Sequence, residues 1–239
     1  SRENFSGVSN INPEIIRKIR GAQPGIENLL KTLPGVNISN ELSTQYSVRG
    51  GNFDENLVYV NGIEVYRPFL IRSGQQEGLS FVNTNMVSSI KFSAGGFEAK
   101  YGDKMSSVLD ITYKRPQENK ASVQLSLLGG SAHIEGTNNN GRFSYLIGAR
   151  HKTSKYLLDA MDTKADYTPK FSDIQALLNY ELNTNWQLSF LGNISKNEYT
   201  MVPKNRDTEF GTLNEALKLT IYFEGQEVDK YETYFGALS

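Results

Sequence analysis

The sequence has no cysteine. That absence removes a disulfide framework, a thiolate metal site and a cysteine nucleophile, and it leaves the redox compartment open. There is no excess of one charge either, since 25 Lys plus Arg stand against 26 Asp plus Glu for a formal net charge of −1. A nucleic-acid partner is therefore not expected, because duplex binding leans on phosphate neutralisation by a basic face. No run approaches the ~18 consecutive apolar residues of a transmembrane helix, which excludes ordinary helical membrane proteins. Membrane β-barrels stay open, because their strands are short and only alternately apolar, and a mean hydropathy of −0.45 is compatible with them. The N-terminus, Ser1-Arg2-Glu3-Asn4, lacks the charged start and apolar core of a signal peptide, so an export signal is expected to have been removed or to lie outside this chain.

What is present is globular composition, 38% hydrophobic and 11% aromatic over 239 residues, which a disordered chain would not carry. The length suits one large domain or two small ones at roughly 150 residues each. The pattern changes at Lys114-Arg115-Pro116-Gln117-Glu118-Asn119-Lys120, a polar stretch read as the boundary between a mixed α+β unit over 1–116 and a strand-rich unit over 117–239. In the first unit, Asn12-Pro13-Glu14 opens a helix with a capping side chain, Pro at the first helical position and an acid in the first turn, and Gly21 closes it. A second helix carries Ile26, Leu29, Leu30 and Leu33 on one stripe, with Glu27 and Lys31 paired on the other side, and ends at Pro34-Gly35.

The strongest local signal is a hairpin, Leu57-Val58-Tyr59-Val60, Asn61-Gly62, Ile63-Glu64-Val65-Tyr66. Asn-Gly suits a type I′ turn, which needs φ > 0 at both central residues and fixes the register. Val60 then faces Ile63 and Val58 faces Val65, while Tyr59 and Glu64 share the other face. Two more strands are expected at Val87 to Phe92 and Val108 to Tyr113.

From Ala121 the chain reads as alternating strands. Phe143, Tyr145, Ile147 and Ala149 alternate with Ser144, Leu146, Gly148 and Arg150; Ile174, Ala176, Leu178, Tyr180 and Leu182 with Asp173, Gln175, Leu177, Asn179 and Glu181; Trp186, Leu188, Phe190, Gly192 and Ile194 with Gln187, Ser189, Leu191, Asn193 and Ser195. Tight polar turns (Asn138 to Gly141, Asn183 to Asn185) are expected to alternate with longer loops (Asp159 to Lys170, Pro203 to Asn214), as in outer-membrane barrels. Trp186, Tyr180, Phe171 and Tyr199 are placed near strand ends, where interfacial aromatic girdles sit. The same alternation fits a soluble antiparallel sandwich. The polar faces carry Gln, Asn, Ser and Gly rather than Lys, which suits a lumen packed against another polar object.

Five ordered pieces carry a resemblance: Asn28 to Val36 (NLLKTLPGV), Tyr46 to Gly51 (YSVRGG), Asn56 to Gly62 (NLVYVNG), Ile90-Lys91-Phe92 followed by Gly95-Gly96 and Tyr101-Gly102, and Ser107 to Ile111 (SVLDI). Each is weak alone; their order and spacing over the first half resemble the plug domain of TonB-dependent outer-membrane receptors, in the version common in Bacteroidetes-type bacteria. The resemblance implies an α+β plug domain followed by antiparallel β-strands of a truncated outer-membrane β-barrel. About five or six strands follow Lys120 where the family has ~22, so the chain is expected to be part of a longer receptor.

The implied function is TonB-energised uptake of a scarce nutrient, with the plug gating the lumen in a Gram-negative outer membrane. Implied partners are the TonB-ExbB-ExbD system, acting through a segment not recognisable upstream of Phe5, outer-membrane lipid, and a surface lipoprotein. The alternative is a soluble periplasmic or secreted β-rich binding module sharing the plug fold. Ligand contacts are expected on the plug apices, at Asn52, Phe53 and Asp54 and at Arg67, Phe69, Arg72, Gln75 and Gln76. Arg49 is expected to anchor the plug to wall carboxylates. Gly50, Gly51, Gly62, Gly95, Gly96 and Gly102 are read as permitting backbone turns. His133 and His151 are read as strand-surface histidines without zinc spacing. Asp54-Glu55 diverge on a turn, and Gly95-Gly96 lack the Lys-Ser/Thr of a phosphate loop. No enzyme, cofactor or metal is expected.

Overall fold

The computed structural model describes residues 8–12, 26, 30, 33, 35–37, 47–49, 56–66, 72–73, 76–77, 79–94, 101, 106–138, 140–153, 165–203, 206–212, 215–221 and 225–239. In chain order the strands are β1 (Val8–Ile11), β2 (Val36–Asn37), β3 (Ser47–Val48), β4 (Asn56–Val60), β5 (Ile63–Glu64), β6 (Arg72–Ser73), β7 (Gln76–Glu77), β8 (Val87–Ser93), β9 (Ser107–Tyr113), β10 (Lys120–Ser126), β11 (Gly129–Thr137), β12 (Phe143–Thr153), β13 (Ala165–Glu181), β14 (Gln187–Pro203), β15 (Arg206–Thr212), β16 (Glu215–Ile221) and β17 (Glu227–Leu238). A single 3₁₀ turn among the described residues, Thr84–Met86, leads into β8.

The first sheet has the order β1-β8-β9-β4-β5. Its register lines up Ile11, Ile90, Ile111 and Val60 in one row across four strands, and Phe92, Leu109 and Val58 in the next. β-branched and aromatic residues in such rows pack closely across strands. That face buries against Ile26 and Leu30, both helical, and Leu33 packs at its margin. The rest of the two expected helices lies outside the described residues. Asn61 and Gly62 take φ of 52° and 77°, the type I′ turn the Asn-Gly pair demands. The expected register holds, with Val60 opposite Ile63 and the Val65 amide on the Val58 carbonyl at 2.8 Å. Asn61 does more than turn the chain, because its Oδ1 accepts from the Tyr113 amide at 2.8 Å and so ties the hairpin to the end of β9.

The second sheet, β10-β11-β12-β13-β14-β17, is antiparallel throughout and open, and a separate β15–β16 hairpin lies between β14 and β17 in sequence. Two expected loops are shorter than read. Residues 165–170 belong to β13, and residues 206–212 form β15. β13 and β14 therefore run to 17 residues each, against the ten residues over which their apolar alternation is read. The alternation fades in their outer halves because those side chains leave the apolar belt, while the backbone pairing continues.

Paired positions in this sheet sort the side chains by face and depth. On the outer face one row reads Val123, Ala132, Ala149, Ile174, Ile194, Tyr234, and the next Ala121, Ile134, Ile147, Ala176, Gly192, Gly236. Then come Tyr145, Leu178, Phe190 and Leu238, then Phe143, Tyr180 and Leu188. The inner rows read Gln124, Ser131, Arg150, Asp173, Ser195, Thr233 and Ser122, His133, Gly148, Gln175, Asn193, Phe235. From β12 to β14 the polar rows are the buried ones, whereas Ser122 and Gln124 on β10 are exposed: Gln175 is 0% exposed and Asn193 1%, while Ile174 is 57% exposed and Ile194 56%. A soluble sandwich buries its apolar face, so this inversion excludes that arrangement for the sheet.

From Ile174 to Leu182 the outer face of β13 and its turn is apolar. Eight residue steps at ~3.4 Å, tilted by about 40°, give a belt of ~20 Å, near the ~25 Å of membrane barrels. Trp186 and Tyr180 lie at its tight-turn end, as a girdle requires. Phe171 does not; it is 1% exposed, in mid-strand on the inner face. Tyr199, also expected at a strand end, sits within β14, half-buried, on the inward alternate. His133, read as a surface residue, is buried on the inner face 3.4 Å from Glu135, because its strand parity puts it with Ser131 and Glu135. His151 is exposed, its Nδ1 2.8 Å from Ser172 Oγ. No helix among the described residues is long and apolar enough to cross a membrane.

Candidate functional site

The two sheets meet along a seam, and the described bonds across it concentrate on one stretch of the first unit, Ser80 to Asn83. Asn83 folds that stretch: its Oδ1 accepts from the Asn85 amide at 3.1 Å and its carbonyl from the Met86 amide at 2.9 Å, capping the 3₁₀ turn. The turn approaches the wall where β12 has no side chain. A Cβ on Gly148 would lie 2.3 Å from Asn83 Nδ2 and 3.4 Å from Met86 Sδ. Glycine is required here by close approach, not by backbone conformation.

Four wall side chains hold the stretch. Arg150 and Asp173, directly opposite in the β12–β13 register, form a bidentate pair: Arg150 Nε donates to Asp173 Oδ1 at 2.8 Å, and Nη2 donates to Oδ2. The same guanidinium donates from Nη1 to the Val82 carbonyl at 2.7 Å and from Nη2 to the Ser80 carbonyl at 2.8 Å. Arg supplies this because its planar fork can meet a carboxylate on one side and two carbonyls on another. Asn193 Nδ2 donates to Asp173 Oδ2 at 3.2 Å, and Gln175 Nε2 to the Phe81 carbonyl at 3.2 Å. The Tyr113 hydroxyl, at the end of β9, donates to Gln175 Oε1 at 2.6 Å and accepts from the Asn83 amide at 3.2 Å. Its full burial pushes the phenol pKa well above the ordinary value, against the smaller opposing effects of the Asn83 amide and Arg150.

Apolar contact seals the same stretch. Phe81 packs edge-on against Phe235 with ring centroids 5.0 Å apart, and Leu146, Leu177 and Leu191 of the wall join one core with Met86 and Ile90. Toward the tight-turn end the seam opens into a cavity of about 660 Å³, bounded by Tyr59, Tyr101 and Asp110 on one side and Asn179, Gln187 and Ser189 on the other. Asn193 Oδ1, Ser195 Oγ and both amide atoms of Asn197 are buried on the inner face of β14 without a hydrogen-bond partner among the described residues. The clamp at Arg150 and Asp173 holds the most buried ion pair at the seam, where the polar links between the described parts also include Lys114 Nζ on Glu135 Oε2 at 3.3 Å, Arg115 on Glu181, and Asn85 Nδ2 on Ser131 Oγ at 3.4 Å.

Among the residues singled out in the sequence, Gly62 is in its expected turn. Arg49 is exposed with a φ of 51°, its amide donating to the Gly35 carbonyl at 2.9 Å. Arg72 and Gln76 lie in the β6–β7 hairpin, where Arg72 pairs with Glu77 and Ser73 with Gln76. Asn52, Phe53, Asp54, Arg67, Phe69, Gln75, Gly50, Gly51, Gly95, Gly96 and Gly102 lie outside the described residues. The clamp residues were not singled out. Their signal was a charged residue on each of two neighbouring polar faces, readable as a pair only once the register is known. No cluster of three or more His, Cys, Asp or Glu that could hold a metal occurs among the described residues.

An α+β unit clamped against a sheet that is apolar outside and polar inside defines a plugged membrane-barrel wall. Residues 2–108 match the family described as the TonB-dependent receptor plug domain. With that match to its first part and this fold, the chain is similar to the plug and opening barrel wall of TonB-dependent outer-membrane receptors. Among solved structures it is similar to the siderophore receptor PirA from Pseudomonas aeruginosa, with TM-score 0.59, 19% identity, and 97% of this chain covering 42% of that one. The siderophore receptor PirA from Acinetobacter baumannii gives 0.57 and 21%, over 82% of this chain and 32% of that one. The ferripyoverdine receptor of the outer membrane of Pseudomonas aeruginosa gives 0.60 and 13%, over 99% and 32%. The chain thus spans about a third of the length of two of these structures and somewhat more of the other. No curated protein matches it significantly in sequence.

Proposed function

We propose that the chain gates TonB-energised uptake of a scarce nutrient through the outer membrane. The supporting observation is the clamp: a buried Arg150–Asp173 pair in the wall holds the carbonyls of Ser80 and Val82 of the plug. Residues 1–116 are the plug and 117–239 the first part of the barrel in this reading. Ligand contacts at Asn52, Phe53, Asp54, Arg67, Phe69, Arg72, Gln75 and Gln76, and wall anchoring by Arg49, belong to the same proposal. So do its partners, the TonB-ExbB-ExbD system and, by resemblance to its bacterial branch, a surface lipoprotein. Ferric siderophores are the first ligands to test, because the fold neighbours are siderophore receptors.

The test uses the missing cysteines. A disulfide between Asn83→Cys and Gly148→Cys joins the 3₁₀ turn to the wall where a Cβ on Gly148 would lie 3.3 Å from Asn83 Cγ. In cells producing the complete receptor, with ferripyoverdine or ferric enterobactin as probe, the oxidised pair is expected to bind the ligand taken up by wild type and to stop its entry. Reduction is expected to restore entry. Equal uptake in both states overturns the gating role.

A further inference from the structure

The inner face of β14 holds a column of polar groups that neither the clamp nor the core uses. Asn193 commits only its Nδ2, to Asp173. Its Oδ1, Ser195 Oγ and both amide atoms of Asn197 are buried without a hydrogen-bond partner among the described residues, and each of the three residues is 1% exposed. Alternate residues share a face, so the column rises in steps of about 6.8 Å over three consecutive inward positions. The neighbouring strand shows the contrast, because Asp173, Gln175 and Asn179 of β13 are all hydrogen-bonded. Folded chains leave few buried polar groups unpaired, since each costs its desolvation. A run of them on one strand, beside paired neighbours, marks positions held for a partner from outside the chain.

The column has a direction. Asn197 is its member nearest the long β14–β17 connection, and long connections are extracellular in this class of barrel. Toward the tight turn the same face of β14 continues as Leu191, Ser189 and Gln187, which all line the cavity of about 660 Å³ at the seam. The strip is therefore polar from Asn197 to Gln187 with one break at Leu191, which is fully buried in one core with Phe81 of the plug. Charge along the strip is already engaged. Asp173 is held by Arg150, Lys152 in the Asn197 row is buried and partnered, and Lys196 and Glu198 fall on the outer face by parity. At the cavity Arg115 pairs with Glu181, Lys114 with Glu135, and the Tyr101 hydroxyl donates to Asp110. The groups left to bind are neutral.

We propose that Asn193, Ser195 and Asn197 are the wall contacts of the transported solute on its way past the clamp to the cavity, and that the solute meets them with neutral hydroxyl and amide groups. The chemistry of the column selects this class. The Asn197 amide offers an acceptor beside two donors, the Ser195 hydroxyl is both at one atom, and Asn193 adds an acceptor. Hydroxyls and amides satisfy such a mixed set, whereas an ionised group finds no free counter-charge and a hydrocarbon surface leaves all three residues unpaired. The apolar break at Leu191 and Phe81 closes the strip ahead of the cavity in this state. The proposal rests on the uptake reading of the chain and assigns to it a flank of the plug and a kind of solute surface.

The test compares Ser195→Ala, Asn197→Leu and their combination with wild type in cells producing the complete receptor. Entry and surface binding are followed with ferripyoverdine and ferric enterobactin, both amide-bearing, and stability as the urea concentration at which the plug becomes sensitive to trypsin. Because the removed groups have no partner to lose, the urea midpoint is expected to stay the same or rise, and surface binding to stay unchanged. Entry is expected to slow about two- to tenfold in each single variant, the rate equivalent of one hydrogen bond, and further in the combination. Asn179→Leu, whose amide is bonded to Ser144, Gln187 and Ser189, is expected to lower the midpoint and calibrates the stability readout. Wild-type entry in the combined variant overturns the proposal. So does a lowered midpoint in the single variants, the mark of groups satisfied by ordered water. Entry of neither probe in wild type overturns the uptake reading with it, whereas entry in wild type and all variants alike overturns this proposal alone.

Discussion

At the scale of residues, the arrangement turns on Arg150 and Asp173. Asp173 has a side chain fully withdrawn from solvent and Arg150 one nearly so. Removing one partner of such a pair leaves a charge buried without compensation, which typically costs about 3–5 kcal/mol, while replacing both with apolar residues costs far less. Arg150→Ala is therefore expected to lower markedly the urea concentration at which the plug becomes sensitive to trypsin, and Arg150→Met combined with Asp173→Leu to lower it less. An equal or larger loss in the double variant would contradict the clamp.

Tyr113 makes a second residue-scale prediction. Its hydroxyl has two buried partners, so Tyr113→Phe is expected to cost about 1–3 kcal/mol. The pH dependence follows from the raised pKa. The phenol stays neutral in the folded state at a pH where it would ionise in the unfolded chain, so its contribution is complete below about pH 10 and declines as pH rises beyond that. Above pH 10 the stability gap between wild type and Tyr113→Phe is expected to shrink, measured by urea denaturation across pH 8 to 11.

At the scale of elements, each wall strand presents two unlike faces, and a depth series reads them. Ile147 lies in the middle of the apolar belt on β12 and His151 at its polar end. Ile147→Arg is expected to cost about 2–4 kcal/mol of barrel stability in lipid vesicles, and His151→Arg about 0–1 kcal/mol. A sheet facing water on that side would show little difference between them.

The same strands show what could be read before folding. Parity was legible: every apolar residue of β12 assigned to one face lies on the outer face, and the Asn61-Gly62 turn fixed its hairpin as its φ requirements dictate. Strand length was not legible, because outside the belt both faces are polar and period 2 vanishes while hydrogen bonding continues. Phe171 was misplaced for a related reason: an aromatic residue near a presumed strand end looks like a girdle residue until the strand proves longer. The clamp was hidden because Arg150 and Asp173 are 23 positions apart; only register brings them together. Arg49, the conspicuous arginine, stands exposed.

At the scale of the whole molecule, two units with opposite surface logic share one seam. The plug buries its aliphatic rows, as a soluble domain does, and the wall buries its polar rows against the plug while exposing its aliphatic rows. A near-neutral chain of low mean hydropathy results from averaging the two, which is why composition alone looks ordinary. Across the seam the buried clamp at Ser80 to Asn83 stands beside a cavity of about 660 Å³, with the ion pairs of Lys114 with Glu135 and Arg115 with Glu181 as further links among the described residues.

The most direct measurement is collision accessibility of a nitroxide placed at each position from 173 to 180 of the complete receptor in lipid vesicles. Labels at Ile174, Ala176, Leu178 and Tyr180 are expected to respond to oxygen dissolved in the bilayer. Labels at Asp173, Gln175, Leu177 and Asn179 are expected to be shielded from both oxygen and a water-soluble relaxant, and to become accessible to the latter when residues 1–113 are deleted. Loss of the period of 2, or a stronger response of the first set to the water-soluble relaxant, would contradict the inside-out wall on which the whole reading stands.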